Sequence, residues 1–384
     1  MHGKEKIRVL RIISRLNIGG PSIHALLLSK KLDPTQFENH LIFGKTDPSE
    51  GNLAPTKNES FQYYHVPTLQ REISILKDLK SFISILKIIR KVKPHIVHTH
   101  QAKAGLLGRS AAILLRVPVR IHTFHGHVFH SYFPTWKTRF FLILERILAR
   151  YSHLIAISDT QKKELESHLK SSPTVHVIPL GLELKKFENL PPQEPLKKKW
   201  GYREDHILIG IVGRLVPIKN HDLFLDVAQE LKNNFPHVKF LIVGDGERRP
   251  YLEKRIHNEN LDHVRILGWQ YDLREIYSLL DIVVLTSLNE GTPVSLIEAA
   301  ASGKPIVSAS VGGVTSIIQH ETNGYLIHKH DKTAFVNSLE KLIQNKELRE
   351  KMGKSLKQET MKHFDENRLV KDIEAFYKKN WLLI

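Results

Sequence analysis

Residues Asn289 to Gly313 read N-E-G-T-P-V-S-L-I-E-A-A-A-S-G-K-P-I-V-S-A-S-V-G-G. An apolar, β-branched run, Ile282 to Leu285, precedes the stretch, and a second, Ile306 to Ser308, lies inside it. Between them, Val294 onward is rich in helix formers until Gly303, a residue suited to ending a helix. Strand, helix and strand in this order form a crossover unit, and such units make a parallel sheet covered by helices. The loop and helix also carry charge in a pattern. Glu290 lies in the loop, with Thr292 beside it. Glu298 falls roughly two turns into the expected helix. Val294, Ser295 and Leu296 offer backbone N–H groups at the helix start, where the dipole favours an anion. Two carboxylates flanking an anion site suit a ligand with hydroxyls on both sides of a diphosphate. A buried mid-helix carboxylate with no ligand is costly.

The same alternation extends in both directions. Upstream in the second half, strands are expected at Ile207 to Val212, Phe240 to Val243 and Val264 to Leu267. In the first half they fall at Ile7 to Ile13, His40 to Phe43, Ile96 to Thr99, Val119 to Phe124, Leu154 to Ile157 and Val175 to Ile178. Helical periods lie between, as in Leu76, Leu79, Phe82, Ile83, Leu86 and Ile89. The series breaks at Leu190 to Trp200 (LPPQEPLKKKW). The fold class is therefore α/β, with two doubly wound, Rossmann-like domains joined near residues 181–205. We place the first domain at 1–185 and the second at 200–365. A C-terminal helix at 366–384, with an apolar stripe of Val370, Ile373, Phe376 and Tyr377, is expected to cross back to the first domain. Open parallel sheets bind ligands beyond the carboxyl ends of their strands, so the functional loops of the two domains should face one cleft.

Three further motifs follow strands. Asn17-Ile18-Gly19-Gly20-Pro21-Ser22 comes after the first strand. Its paired glycines allow close backbone approach, and Pro21 suits a first helical turn; its plainer reading is a tight turn. Val212-Gly213-Arg214-Leu215, with Lys219 five residues past the arginine, follows the first strand of the second domain. Gly213 permits a turn, and Arg214 and Lys219 can reach a common anion, the plainer reading being a surface ion pair. His122-Thr123-Phe124-His125-Gly126-His127 ends another strand, and His125 emerges at its carboxyl end with His127 as a rival in the same loop. Asp245, in Val243-Gly244-Asp245-Gly246, is a lone carboxylate better suited to shaping a turn than to holding a metal.

Composition narrows the function classes. The 384 residues carry a net charge of +17 and no cysteine. Disulfides, thiolate nucleophiles and cysteine-ligated zinc are excluded, and a reducing, cytoplasmic setting fits. Such charge suits phosphorylated substrates or an anionic bilayer. No arginine-rich tail or aromatic-interleaved motif points to nucleic acid, which is not expected as a partner. No apolar run is long enough to span a membrane, and the start of the chain reads as a buried strand rather than a signal peptide.

Together, the E-x7-E element, the G-R-L-x3-K segment, the first-strand glycine pair and the HTFHGH stretch resemble retaining glycosyltransferases of family 4, from Arg11 to about Phe364. The resemblance implies the GT-B fold, transfer of a sugar from a nucleotide-diphosphate-sugar, most often a UDP-sugar, and no metal or other cofactor. It gives Arg214 and Lys219 to the donor diphosphate, Glu298 to the ribose hydroxyls and Glu290 to the transferred sugar. Gly19, Gly20, Gly213, Thr292, Val294, Ser295 and Leu296 would complete the donor site, and His125 would contact the sugar near its anomeric carbon. Many relatives have Ala-Glu where this chain has Pro21-Ser22, which bears on the acceptor side. The pairing of NIGGPSIH with HTFHGHVF is similar to bacterial enzymes of cell-surface polysaccharide assembly, implying a lipid-linked or glycan acceptor. Basic residues on amphipathic stretches (Lys77, Lys80, Lys87, Arg90 and Lys91, then Arg139, Arg146 and Arg150) suggest peripheral docking on the inner face of the cytoplasmic membrane. Two other classes share the architecture: a UDP-N-acetylglucosamine 2-epimerase, and a sugar-nucleotide-binding relative without catalysis.

Overall fold

A computed structural model describes residues 5–47, 51–56, 58–70, 72–126, 135–169 and 174–383. Two compact units result, Met1–Leu182 with Glu366–Ile384, and Glu183–Asp365. In the first, the order is β1 (Ile7–Ile13), α1 (Gly20–Lys31), β2 (Phe37–Gly44), β3 (Gln62–Val66), α2 (Ile75–Val92), β4 (Ile96–His100), α3 (Ala102–Leu114), β5 (Val119–Thr123), α4 (Thr135–Ala149), β6 (His153–Ala156), α5 (Asp159–Leu169) and β7 (Val175–Val177). The sheet is parallel, in the order β3-β2-β1-β4-β5-β6-β7.

Neighbouring side chains on β1 point to opposite faces, and each face has its own core. Val9 packs with Leu27, Leu28, Phe37 and Ile121 on one side. Leu10 and Ile12 pack with Ile85, Ile89, Ala104 and Ala111 on the other. The second unit runs α6 (Gln193–Lys199), β8 (Ile207–Val212), α7 (His221–Leu231), β9 (Val238–Val243), α8 (Arg249–Asn258), β10 (Val264–Gly268), α9 (Leu273–Leu279), β11 (Ile282–Leu285), α10 (Val294–Ala301), β12 (Ile306–Ala309), β13 (Tyr325–Ile327), α11 (Lys332–Gln344) and α12 (Lys346–His363). Its parallel sheet has the order β10-β9-β8-β11-β12-β13.

The last helix, α13 (Glu366–Leu382), belongs to the first unit. The chain is not helical without interruption after Met352, because Phe364 and Asp365 separate α12 from α13. Leu369, Ile373, Phe376 and Tyr377 are buried in the first core. The Tyr377 hydroxyl lies 2.6 Å from His98 Nδ1 and accepts from the fully buried Arg11 at 3.4 Å. Three other expectations need correction. The proline- and lysine-rich break at Leu190 to Trp200 contains a short helix, α6, of the second unit. The edge strands β3 and β13 were not expected: β3 buries only Val66, and the apolar run of β13 is three residues long. On α2 the residues turned inward are Ser81, Ile85, Ile89 and Val92, whereas Leu76, Leu79 and Ile83 of the periodic stripe are exposed.

Candidate active site

In each sheet the strand order reverses beside the first strand of the unit, and the crevice beyond the carboxyl ends there is where such sheets bind ligands. In the second sheet the reversal lies between β8 and β11. The loop after β8 carries Gly213, Arg214 and Lys219, and the loop after β11 carries Ser287, Glu290 and Thr292. Thr286 ties the two together, its hydroxyl donating to the carbonyls of Lys219 and Asn220 at 3.0 and 2.9 Å. The Leu288 N–H donates to Ile218 O at 2.9 Å. Lys219 Nζ then meets Glu290 Oε1 at 2.5 Å, and Ser287 Oγ donates to the same oxygen at 2.6 Å.

Both partners of this ion pair are largely withdrawn from water, with side chains 18% and 11% exposed. It is therefore neither the surface pair of the plainer reading nor two cations alone around an anion. The lysine stem runs past Gly213, where an added Cβ would lie 3.6 Å from Lys219 Cε. Arg214 is half-buried in the same loop. Gly244 holds the adjoining turn at φ +135°, and a Cβ there would stand 2.0 Å from Gly213 O, so only glycine fits. Asp245 shapes this turn: its carboxylate accepts from Gly246 N at 2.8 Å and Arg249 Nη1 at 2.7 Å.

Helix α10 starts at Val294 after Pro293. The N–H groups of Val294 and Ser295 lie in the first turn, outside the intrahelical ladder. That of Leu296 donates to Pro293 O at 3.1 Å, so it is already engaged. Thr292 is buried, and its hydroxyl has no hydrogen-bond partner among the described residues. Glu298 is the fifth residue of α10, just past one turn rather than two, and is buried.

The Tyr277 hydroxyl sits 3.1 Å from Glu298 Oε2 and 3.0 Å from Ser295 O. Burial lifts the Glu298 carboxyl to about 7, against the opposing pull of Lys186 and the Tyr277 hydrogen bond. The Tyr277 ring packs edge-on against Phe187 at 5.6 Å. Phe187 and Lys186 also line a groove of about 370 Å³ with Tyr271, Asp272, Leu273 and Arg274. Tyr277 and Lys186 escaped the sequence reading. The tyrosine looks like ordinary helical core, and the lysine is one of many.

In the first sheet the reversal lies between β1 and β4. Gly20 opens α1 and Gly19 caps it in an extended conformation. A Cβ on Gly19 would meet only Asn17 Nδ2 at 3.8 Å, so the fold itself does not demand glycine there. Ser22 is buried and its hydroxyl pairs with Asn17 Oδ1 at 3.2 Å. His125 follows β5, with Nε2 3.0 Å from His100 Nδ1 and Nδ1 buried without a partner among the described residues. Burial lowers its pKa to about 3, so it is a neutral imidazole. Its ring centroid lies 5.0 Å from that of His24 and 5.2 Å from that of His100. His127 lies outside the described residues. The trio His24, His100 and His125 offers one nitrogen each within 4.8 Å of one another. The signal for His100 was present in the strand His98-Thr99-His100, which ends at the same edge as the HTFHGH stretch.

Residues 18–186 match the family described as Glycosyltransferase Family 4, and residues 192–359 match Glycosyl transferases group 1. The UDP-Gal:alpha-D-GlcNAc-diphosphoundecaprenol alpha-1,3-galactosyltransferase of Escherichia coli is 33% identical over 98% of this chain and 97% of its own. The chain belongs to glycosyltransferase family 4. The capsular polysaccharide biosynthesis glycosyltransferase CapM of Staphylococcus aureus is 26% identical over 82% of this family 4 glycosyltransferase and 84% of its own length. Among solved structures, Anabaena Alr3699/HepE in complex with UDP superposes with a TM-score of 0.82 at 18% identity, covering 97% of this chain and 100% of that one. At that identity the likeness concerns the fold alone, which is GT-B.

Proposed function

We propose that this glycosyltransferase moves a sugar from a UDP-sugar to a lipid-linked or polysaccharide acceptor in cell-envelope glycan synthesis, with retention of anomeric configuration. The observation that carries the reading is the Lys219–Glu290 pair at the switch point of the second sheet, with Arg214 in the same loop and Glu298 on the helix that follows. Cleaving the anomeric bond leaves positive charge on the sugar and negative charge on the departing diphosphate. Arg214 and Lys219 meet the negative charge as it grows, and preorganised groups of this kind stabilise the transition state most. Glu290 balances Lys219 until a phosphate arrives, then lies beside the sugar. Glu298 accepts from the ribose hydroxyls, with Tyr277 fixing its carboxyl. The E. coli relative is named for a UDP-Gal donor and a diphosphoundecaprenol-linked acceptor, and it matches almost end to end.

Such an acceptor lies at a bilayer, and helix α2 fits docking there. Leu76, Leu79 and Ile83 are 75%, 55% and 44% exposed. Lys80, Lys87, Arg90 and Lys91 continue the same face at helical spacing. Among the described residues no helix is long and apolar enough to cross a membrane. An amphipathic face of apolar and basic residues instead binds reversibly at the surface of an anionic leaflet.

A donor screen tests the reading. A UDP-sugar should raise the thermal midpoint more than other nucleotide sugars, since ligand binding to the folded state stabilises it by mass action. Turnover with that donor should survive EDTA, because two cations already serve the diphosphate. No shift with any nucleotide sugar, or a complete magnesium-reversible loss of turnover, would contradict it.

A further inference from the structure

Strand β4 ends on His98-Thr99-His100, and its register with β5 sets His100 opposite Thr123, two residues before His125. His98 has a partner for each nitrogen, Tyr377 at 2.6 Å and Thr123 at 2.7 Å. His122 Nδ1 pairs with Thr99 at 2.8 Å. Hydroxyls on neighbouring elements thus satisfy these two rings, as buried polar groups require. His100 differs. Its Nδ1 lies 3.0 Å from His125 Nε2, while its own Nε2 is buried without a hydrogen-bond partner among the described residues. His100 is fully buried on a strand flanked by β1 and β5, whereas His125 is half-buried in the loop that follows β5. A ring fixed in the sheet therefore holds a ring at the site.

We infer that His100 is a positioning residue for sugar transfer, its Nδ1 fixing the ring plane and the tautomer of His125. Burial keeps both rings neutral. A neutral imidazole has one N–H and one bare nitrogen, so the bond between the rings carries a single proton. With that proton on His125 Nε2, His125 Nδ1 is a bare acceptor; with it on His100 Nδ1, His125 Nδ1 carries the N–H. Either way the bond occupies Nε2 and leaves Nδ1, which has no partner among the described residues, for a ligand hydroxyl. The partner of one ring nitrogen thereby sets what the other can do. His24, the second ring packed on His125, meets it edge-on at 5.0 Å, and both its nitrogens lack a hydrogen-bond partner among the described residues. It shapes the site but cannot select the tautomer. Without the bond from His100, χ2 of His125 is a broad torsion that lets the ring turn. The inference rests on the assignment of His125 to the transferred sugar.

Three substitutions in the full chain test this. Asparagine places an amide where histidine has Nδ1, and glutamine places one where it has Nε2. His100→Asn should therefore keep the bond to His125, while His100→Gln and His100→Leu lose it. At saturating donor and acceptor the glutamine and leucine variants should turn over ~10–100-fold more slowly, the scale of loss when a group at the reacting centre is misplaced. The asparagine variant should recover most of that loss. UDP, which lacks the sugar, should bind all three alike. Where the leucine variant does not fold by circular dichroism, the glutamine variant carries the comparison. In a His125→Ala background the same substitution should cost nothing further, because residues acting through one contact are not additive. Near-normal turnover of His125→Ala would remove the sugar assignment and the inference with it. A slow His125→Ala beside a normal, folded His100→Gln, equal losses with asparagine and glutamine, or additive losses in the double variant would overturn the inference alone.

Discussion

Lys219 and Glu290 are 71 positions apart in the chain and 2.5 Å apart in the fold, and that meeting is where residue chemistry becomes a site. Arg214→Ala or Lys219→Ala should each lower turnover by ~10²–10³-fold at saturating donor, the loss expected for one preorganised transition-state contact. Near-normal turnover in both would rule out the diphosphate role. Glu298→Ala should instead raise KM for the donor with little change in kcat, because ribose contacts are the same in ground and transition states. A collapse of kcat at constant KM would exchange the roles of the two glutamates.

Glu298 also makes a pH prediction. Its carboxyl is held up at about 7 by burial, above its unfolded value. Below the ordinary carboxylate range both states are protonated and nothing is lost. Between that range and about 7 the unfolded chain releases the proton first, so stability falls as pH rises, levelling at a cost on the order of 3 kcal/mol. Glu298→Gln has no such proton. Its thermal midpoint should therefore gain on that of the unmodified protein between about pH 5 and about pH 8. A difference independent of pH would mean that the carboxyl titrates normally. Glu290, Arg214 and Lys219 were legible because each lies in a loop that follows a strand, and Glu298 because a carboxylate stands out in the apolar helix after that loop. Tyr277, which orients Glu298, was not, because nothing in Leu273 to Leu279 distinguishes a buried tyrosine that packs from one that also donates.

Elements were legible in proportion to the apolar surface they bury. β1, β8 and β11 are central strands covered on both faces, and their expected bounds match those observed. β3, with only Val66 buried, and the three-residue β13 lie at sheet edges, where a strand needs no apolar run on both faces. Helix α2 shows the opposite limit. Its period was right, but periodicity alone does not say whether an apolar stripe meets the core or the outside. The core took Ile85, Ile89 and Val92, leaving Leu76, Leu79 and Ile83 exposed.

Replacing Leu76 and Leu79 together by serine should weaken co-sedimentation with anionic vesicles, and salt alone should weaken it too. Each basic residue near the leaflet contributes about 1 kcal/mol, which screening removes as the Debye length shrinks to about 3 Å at 1 M. On α4, Arg139 and Arg150 are exposed beside Ile143 and Ile147, but Arg146 is tied to His168 O at 2.9 Å and contributes less. Failure to sediment at low salt would end the docking proposal and leave the sugar-transfer reading intact.

At the scale of the whole molecule, two units of one architecture carry different chemistry at the same place in their topology. In the second unit, loops beyond β8 and β11 gather cations and carboxylates; in the first, α1, β4 and β5 gather neutral imidazoles. The return of α13 to the first unit was readable from its stripe, while the polar anchor it supplies, Tyr377 to His98 and Arg11, was not. The central claim concerns what bond the molecule makes. It is tested most directly by ¹H NMR of the product formed from the α-linked UDP-sugar that the donor screen selects and a lipid-diphosphate-linked acceptor. The account predicts an α-linked glycoside, with UDP released in equal amount and only when acceptor is present. A β-linked product, or UDP release with an epimerised free sugar and no acceptor dependence, would contradict it.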